Sequence, residues 1–226
     1  MSAAVFTCRT FYGMKAKYHF LKYVQNPTNT PGIFEMTESF QKAALPEVIN
    51  TLLKPLLENS DMKKAYENRY WPEVPSFQDL KVYPKESFGY KAYQFFEHWN
   101  LDPDLFPPPD FSSPQSYITS RIYQAHDFWH VLTGYDTSLE NELALQAFGV
   151  GQYKQPISLA IIAGGLMHLL QKTPENASEI LALISEGFER GMKTHNLLTA
   201  TVLERLHDPL IEVQNDLNIP ERSFFE

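Results

Sequence analysis

Within the stretch RIYQAHDFWHVLTGYDTSLENE, Arg121 to Glu142, two histidines and an aspartate fall inside five residues, and two glutamates follow. Imidazole nitrogens and carboxylate oxygens at such spacing are the donors a divalent metal takes. On an α-helix each residue advances about 100°, so His130 lies about 40° and Asp127 about 100° from His126. Thr119, Tyr123 and Thr133 share this polar stripe, while Ile122, Ala125, Trp129 and Leu132 form the adjacent apolar face. The i, i+4 histidine pair is the spacing of helical zinc sites. It differs from the metalloprotease H-E-x-x-H, because Asp127 is one methylene shorter than the glutamate that acts there as general base. Spacing alone leaves two alternatives, a metal site or a polar helix stripe without a ligand. Either Glu140 or Glu142, at the start of an expected antiparallel helix, could supply a further ligand, and periodicity does not choose between them.

The elements that must hold these residues read as helices. Ser113-Pro114 and Thr173-Pro174 have the form of an N-cap followed by proline at the first helical position. Gly134 has the form of a C-terminal stop. The periodicity predicts helices near 14–25, 37–58 (broken or kinked around Pro46 and Pro55), 60–69, 86–98, 114–133, 138–149, 156–171, 175–192, 195–206 and 208–217. WPEVPSFQDLKVYP and LDPDLFPPPDFSSP read as proline-rich connectors. The expectation is an all-α protein, a bundle of about eight to ten helices forming one domain over 1–226.

The totals narrow the function. A chain of 226 residues with 43% apolar content is globular, and the length favours one domain. A net charge of −8 argues against a nucleic-acid partner and against simple electrostatic adsorption to an anionic membrane. The lone Cys8 allows no internal disulfide and has no companion at ligand spacing, so it reads as structural. No signal peptide, transit peptide or membrane-spanning stretch is evident. The expected location is intracellular, soluble or peripherally membrane-associated. No nucleotide- or haem-binding motif is found.

The string H-D-x-x-H, eleven residues, then Glu (His126, Asp127, His130, Glu142) resembles the motif of the fourth coenzyme Q (ubiquinone) biosynthesis protein family. Its surroundings, R…HDFWHVLTGY and ENELALQAF, are similar to that family, as are ENRYWPEVPSFQDLKVYPKESFGYKAYQFF and EGFERGMKTHNLLTATVLERLHDPLIEVQNDLNIP. The resemblance covers roughly residues 64 to 220. It implies an all-helical protein that holds a divalent metal, usually zinc, through those four residues, and so selects Glu142 over Glu140. It also implies a polyprenylated quinone precursor or other isoprenoid lipid as ligand, and loss of the carboxylate from a polyprenyl-hydroxybenzoate ring. A homodimer and assembly with other quinone-biosynthesis proteins are the protein contacts to expect, and a scaffold role is the alternative to catalysis. The chain departs from eukaryotic members in Leu145-Gln146-Ala147-Phe148, where theirs is more charged, and in Gln214, where an arginine is expected.

The chemistry assigns Asp127 and Tyr123 as candidate catalytic residues, Tyr123 by contact with the ring. A polyprenyl tail needs an apolar wall. Leu159, Ile162, Ala163 and Leu166 recur at helical spacing in PISLAIIAGGLMHLL, where Gly164-Gly165 would admit close approach, although the same stripe suits an ordinary core helix. A metal-dependent phosphohydrolase is a third reading of the bare His-Asp pair. His19, His98, His168, His195 and His207 are isolated, and Trp71, Phe95, Phe96 and Trp99 read as core.

Overall fold

The structure is a computed structural model that describes residues 3–44, 46–101 and 108–219, with side chains from Thr10 onward except that of Pro46. The side chain of Cys8 and part of the second proline-rich connector lie outside the described residues. Every regular element among the described residues is helical: α1 (Ala3–Gln25), α2 (Thr30–Ala43), α3 (Pro46–Leu57), α4 (Ser60–Glu67), α5 (Phe77–Lys81), α6 (Phe88–Trp99), α7 (Pro114–Thr133), α8 (Leu139–Tyr153), α9 (Pro156–Lys172), α10 (Ala177–Lys193) and α11 (Leu210–Asp216), with short 3-10 turns at Pro174–Asn176 and Val202–Arg205. The all-α class is as expected. The eleven α-helices exceed the expected eight to ten for local reasons.

The predicted helix 37–58 is two helices, because α2 ends at Ala43 and α3 restarts with Pro46, while Pro55 is accommodated inside α3. The first proline-rich connector contains α5, nucleated by a capping box. The Ser76 hydroxyl accepts from the Asp79 N–H, and the Asp79 carboxylate accepts from the Ser76 N–H at 3.2 Å. The expected helix 195–206 is instead a run of turns ending in the 3-10 segment; Thr201 there takes φ 45°, a left-handed conformation that interrupts an α-helix.

The chain divides into two compact units. One comprises Met1–Lys54 and Ser138–Gly191. Its core gathers Tyr23 from α1, Met36 from α2, Leu143 from α8, Ile157, Ile161 and Leu169 from α9, and Ile180 from α10. The Gly164-Gly165 pair of α9 does admit close neighbours, but they are core side chains: a Cβ on Gly164 would stand 2.6 Å from the Tyr23 ring, and one on Gly165 2.5 Å from Leu143. The backbones of α10 and α8 themselves meet. A Cβ on Gly187 would lie 2.2 Å from the Ala144 carbonyl oxygen, and one on Gly191 2.1 Å from that of Phe148.

The other unit comprises Pro55–Thr137 and Met192–Glu226. It is organised on α7, of which thirteen residues are buried. Phe128 of α7 meets Phe88 and Phe96 of α6 edge-on at 5.9 and 5.2 Å between ring centres. Gln214 of α11, buried, donates from Nε2 to the Leu132 carbonyl at 2.9 Å. That carbonyl lies in the last turn of α7, where no intrahelical donor remains to meet it. The glutamine thus serves as a remote C-terminal cap, an arrangement that accounts for a neutral donor at this position.

Two glycines test the packing. Gly187→Ala is expected to lower thermal stability by about 1–3 kcal/mol, because an α8 carbonyl cannot retreat without moving the helix. Gly13→Ala in α1, with nothing within 4 Å of its would-be Cβ, should raise stability by roughly 0.5–1 kcal/mol through helix propensity. Denaturant melts of the two variants should move in opposite directions.

Candidate metal centre

The site begins with the two ends of α7. Ser113 opens it, its hydroxyl accepting from the Ser116 N–H at 3.1 Å, with Pro114 at the first helical position. Gly134 closes it at φ 78° and ψ 14°, its N–H reaching the His130 carbonyl at 2.9 Å. A left-handed residue there turns the chain sharply enough that Tyr135, fully buried, brings its carbonyl back over α7. His130 Nδ1 lies 2.9 Å from that carbonyl. A carbonyl can only accept, so Nδ1 carries the proton and Nε2 keeps its lone pair for a ligand. Phe95 of α6 stacks on the His130 ring at 5.6 Å and 21°, and the ring is 1% exposed. Its tautomer and its orientation are therefore both fixed before any ion arrives.

His126, one turn earlier and half-buried, sets its ring edge-on to His130, 4.9 Å between centres. The third member comes from the first turn of α8, which Ser138 caps. His126, His130 and Glu142 each offer one ligand atom, and these atoms all lie within 4.8 Å of one another. Glu140 is not part of the set, so of the two glutamates the structure brings in Glu142. Asp127 also lies outside it, half-buried on α7. No other group of three such side chains converges among the described residues.

The donor set fits a divalent metal. Ion–ligand bonds of about 2.1 Å in tetrahedral geometry hold ligand atoms about 3.4 Å apart, so closure by at most about 1.4 Å suffices. Two neutral imidazoles and one carboxylate leave a coordination position open, as sites that act on a substrate do. The backbone carbonyl behind His130 is the kind of outer partner that metal-bound histidines have.

One further residue bears on the site that sequence reading did not single out, and a second, close to it in sequence, does not. Tyr23 of α1, buried against Gly164, has its phenol pushed well above the usual range by burial and then by the negative charge of Glu142. Nothing local in the sequence links positions 23 and 142. Arg121, inside the quoted stretch, is 3% exposed; it donates to the Tyr117 hydroxyl at 3.2 Å and stacks 5.1 Å over the Tyr70 ring. It secures the chain entering α5 rather than the histidine stripe, which lies about 140° around the helix.

Other sequence candidates take separate places. Tyr123 is half-buried on the His126 stripe. The four α9 residues expected to form a tail wall do not face the core alike: Leu159, 54% exposed, and Ala163 point outward, while Ile162 is half-buried and Leu166 packs on the core cluster. The isolated histidines make ordinary contacts. His168 Nδ1 lies 2.8 Å from the Val24 carbonyl, His19 3.3 Å from a Glu35 oxygen, and His207 stacks on Tyr83 at 4.1 Å.

Gly134 concentrates these demands in one position. Gly134→Ala is expected to cost about 1–2 kcal/mol of stability, and Gly134→Asn less, since asparagine tolerates the left-handed conformation. Thermal melts that leave the alanine variant unchanged would contradict this account of the turn.

Comparison with known proteins bears on the family and the fold. The family model for the coenzyme Q (ubiquinone) biosynthesis protein Coq4 matches residues 21–223, well beyond the 64–220 of the sequence resemblance. A relative named ubiquinone biosynthesis protein COQ4, mitochondrial, from Komagataella phaffii is 29% identical over 74% of this chain and 54% of its own length. The protein of the same name from Saccharomyces cerevisiae is 23% identical over 82% of this chain and 56% of its own. A Plasmodium knowlesi homologue is 30% identical over 71% of this chain and 42% of its own. The chain thus spans about half the length of the curated relatives it matches. A crystal structure from Nostoc punctiforme PCC 73102, provisionally assigned to ubiquinone biosynthesis, matches with a TM-score of 0.80 at 19% identity, over 92% of this chain and 99% of that one, and speaks for the fold. No helix among the described residues is long and apolar enough to cross a membrane. With its motif histidines and glutamate converging and the family model matched over nearly its whole length, this chain belongs to the coenzyme Q (ubiquinone) biosynthesis protein Coq4 family.

Proposed function

We propose that His126, His130 and Glu142 hold a divalent metal, zinc by donor preference, and that the protein removes the ring carboxylate of a polyprenyl-hydroxybenzoate in ubiquinone synthesis. The observation that carries this reading is the convergence of the three ligand atoms within 4.8 Å, with His130 already in its ligating tautomer. The relatives' names support the pathway and its mitochondrial setting.

When bound, the ion supplies Lewis acidity toward a ring oxygen without redox chemistry of its own. The chain's residues do the rest. The bond from ring to carboxylate breaks, carbon dioxide leaves, and the electron pair stays on the ring carbon, which takes up one proton; the para-hydroxyl helps spread the charge. Tyr123, on the histidine stripe, contacts the ring. Asp127, beside His126 in the chain, orients the ligands and keeps a carboxyl group near the reacting carbon. Phe95 excludes water from the His130 side. The outer apolar face of α9, with Leu159 and Ala163 flanked by Ile162 and Leu166, receives the isoprenoid tail as an open strip. Homodimer formation and association with other quinone-biosynthesis proteins accompany this reading.

Elemental analysis of the purified protein should find one ion per chain, lost in His126→Ala, His130→Ala and Glu142→Ala. Asp127→Asn should retain it with affinity lowered about 10- to 100-fold, as for other partners outside the ligand set. Protons compete with metal for imidazole, so affinity should fall as the solution is acidified. Carbon dioxide release from a carboxyl-labelled prenyl-hydroxybenzoate then tests the reaction. A metal-loaded, folded protein that binds the lipid and releases no carbon dioxide would establish the scaffold role in place of catalysis. Absence of stoichiometric metal in the wild type would remove the proposal at its root.

A further inference from the structure

Glu142 has two carboxylate oxygens, and a metal held by one of them leaves the other over. The side chain is half-buried in the first turn of α8, so that second oxygen needs a donor. His130 has its outer partner in the Tyr135 carbonyl, and a ligating carboxylate ordinarily has one as well. The unit that contains Glu142 offers it a phenol.

That phenol is Tyr23, near the C-terminal end of α1 and 5% exposed. Its place is set from several sides. His168 of α9 donates from Nδ1 to the Val24 carbonyl at 2.8 Å, which fastens the last turn of α1. The Tyr23 ring lies on Gly164, where a Cβ would stand 2.6 Å from Cδ1 and 2.9 Å from Cε1, so a larger residue there would displace the ring. Gly165, the next residue of α9, receives Leu143 in the same way, its would-be Cβ 2.5 Å from the leucine side chain. Consecutive α-carbons are only about 3.8 Å apart. Tyr23 and the residue that follows Glu142 therefore rest side by side on one helix, within one core cluster.

The hydroxyl is not used by this packing. The phenols of Tyr70, Tyr93 and Tyr117 donate to Glu204, to Glu97 and to the Tyr70 carbonyl, whereas that of Tyr23 makes no hydrogen bond among the described residues. The charge that acts on it is that of Glu142, which together with burial keeps the proton on the oxygen. Toward a carboxylate it is a donor. On a residue so enclosed, an unmet hydroxyl costs the fold stability, and a carboxylate settled on a metal beside it would remove that cost.

We propose that the Tyr23 hydroxyl donates to the Glu142 oxygen that a bound metal leaves free, which makes Tyr23 a positioning residue of the metal centre. The inference rests on the reading of His126, His130 and Glu142 as metal ligands. Occupying the second oxygen keeps Glu142 from chelating through both, and so preserves an open coordination position. It also ties α1, distant in sequence from the histidines, to the occupancy of the site.

The test measures the zinc affinity of the full chain by competition with a chromophoric chelator. Tyr23→Phe keeps the ring on Gly164 and removes only the hydroxyl. It should bind zinc about 10- to 100-fold more weakly than the wild type, the usual loss when an outer partner of a ligand is taken away. Metal-free, the same variant should melt at or above the wild-type temperature, because it has lost an unmet hydroxyl and not a hydrogen bond. Zinc should then raise the melting temperature less in the variant than in the wild type. Tyr153→Phe, which alters another buried phenol of the same unit at the far end of α8, should leave zinc affinity unchanged. Unchanged affinity in Tyr23→Phe, an equal loss in Tyr153→Phe, or a metal-free Tyr23→Phe that melts well below the wild type would overturn the proposal. A wild type that takes up no zinc removes the ligand triad and this inference with it. Zinc held equally by wild type and Tyr23→Phe leaves the triad standing and removes the role of Tyr23 alone.

Discussion

One hydrogen bond, from His130 Nδ1 to the Tyr135 carbonyl, ties together most of what matters in this protein. It exists because Gly134 reverses the chain at the end of α7 in a conformation that other residues adopt only under strain. It decides which nitrogen of the imidazole is available. It also buries a backbone carbonyl with its partner already supplied, which an interior position requires. The same turn delivers the chain to Ser138 and so starts α8, with Glu142 in its first turn. A carboxylate there is favoured by the positive end of the helix dipole.

Burying polar groups on a helix as deeply enclosed as α7 demands that each be met. Thr133 returns a hydrogen bond to the Trp129 carbonyl at 2.6 Å, Gln124 donates to the Pro72 carbonyl at 2.6 Å, and Gln214 reaches in from α11 to Leu132. The last two contacts define where α7 sits against the chain around it. Gln214 illustrates the logic. Where the sequence resemblance led to the expectation of an arginine, a neutral amide meets a carbonyl without bringing a charge into a site that is 3% exposed.

The other unit is built for close approach. Glycines on α10 let its backbone touch that of α8, and glycines on α9 admit Leu143 and Tyr23. The result seats Glu142 near a buried phenol that stays protonated beside it. It also pushes surplus apolar side chains outward, onto the uncovered faces of α1 and α9. The stripe read in sequence as an apolar wall, Leu159, Ile162, Ala163 and Leu166, is not the face that packs: Ile157, Ile161 and Leu169 carry the core with Leu166 against it, while Leu159 remains in the open.

The sequence by itself determined the all-α class, both ends of α7, the pairing of His126 with His130 and the family, because these rest on signals that act within a few residues. A cap bonds to a backbone group two or three positions away, and an i, i+4 pair is set by helix pitch alone. Periodicity was silent between Glu140 and Glu142, and only the motif's register spoke for the latter. Tertiary structure decided that Glu142 reaches the histidines, that Tyr23 stands near it and that Gln214 caps α7. Each of these depends on which face of one helix meets a partner far away in the chain, and burial is a property of that meeting rather than of either sequence alone.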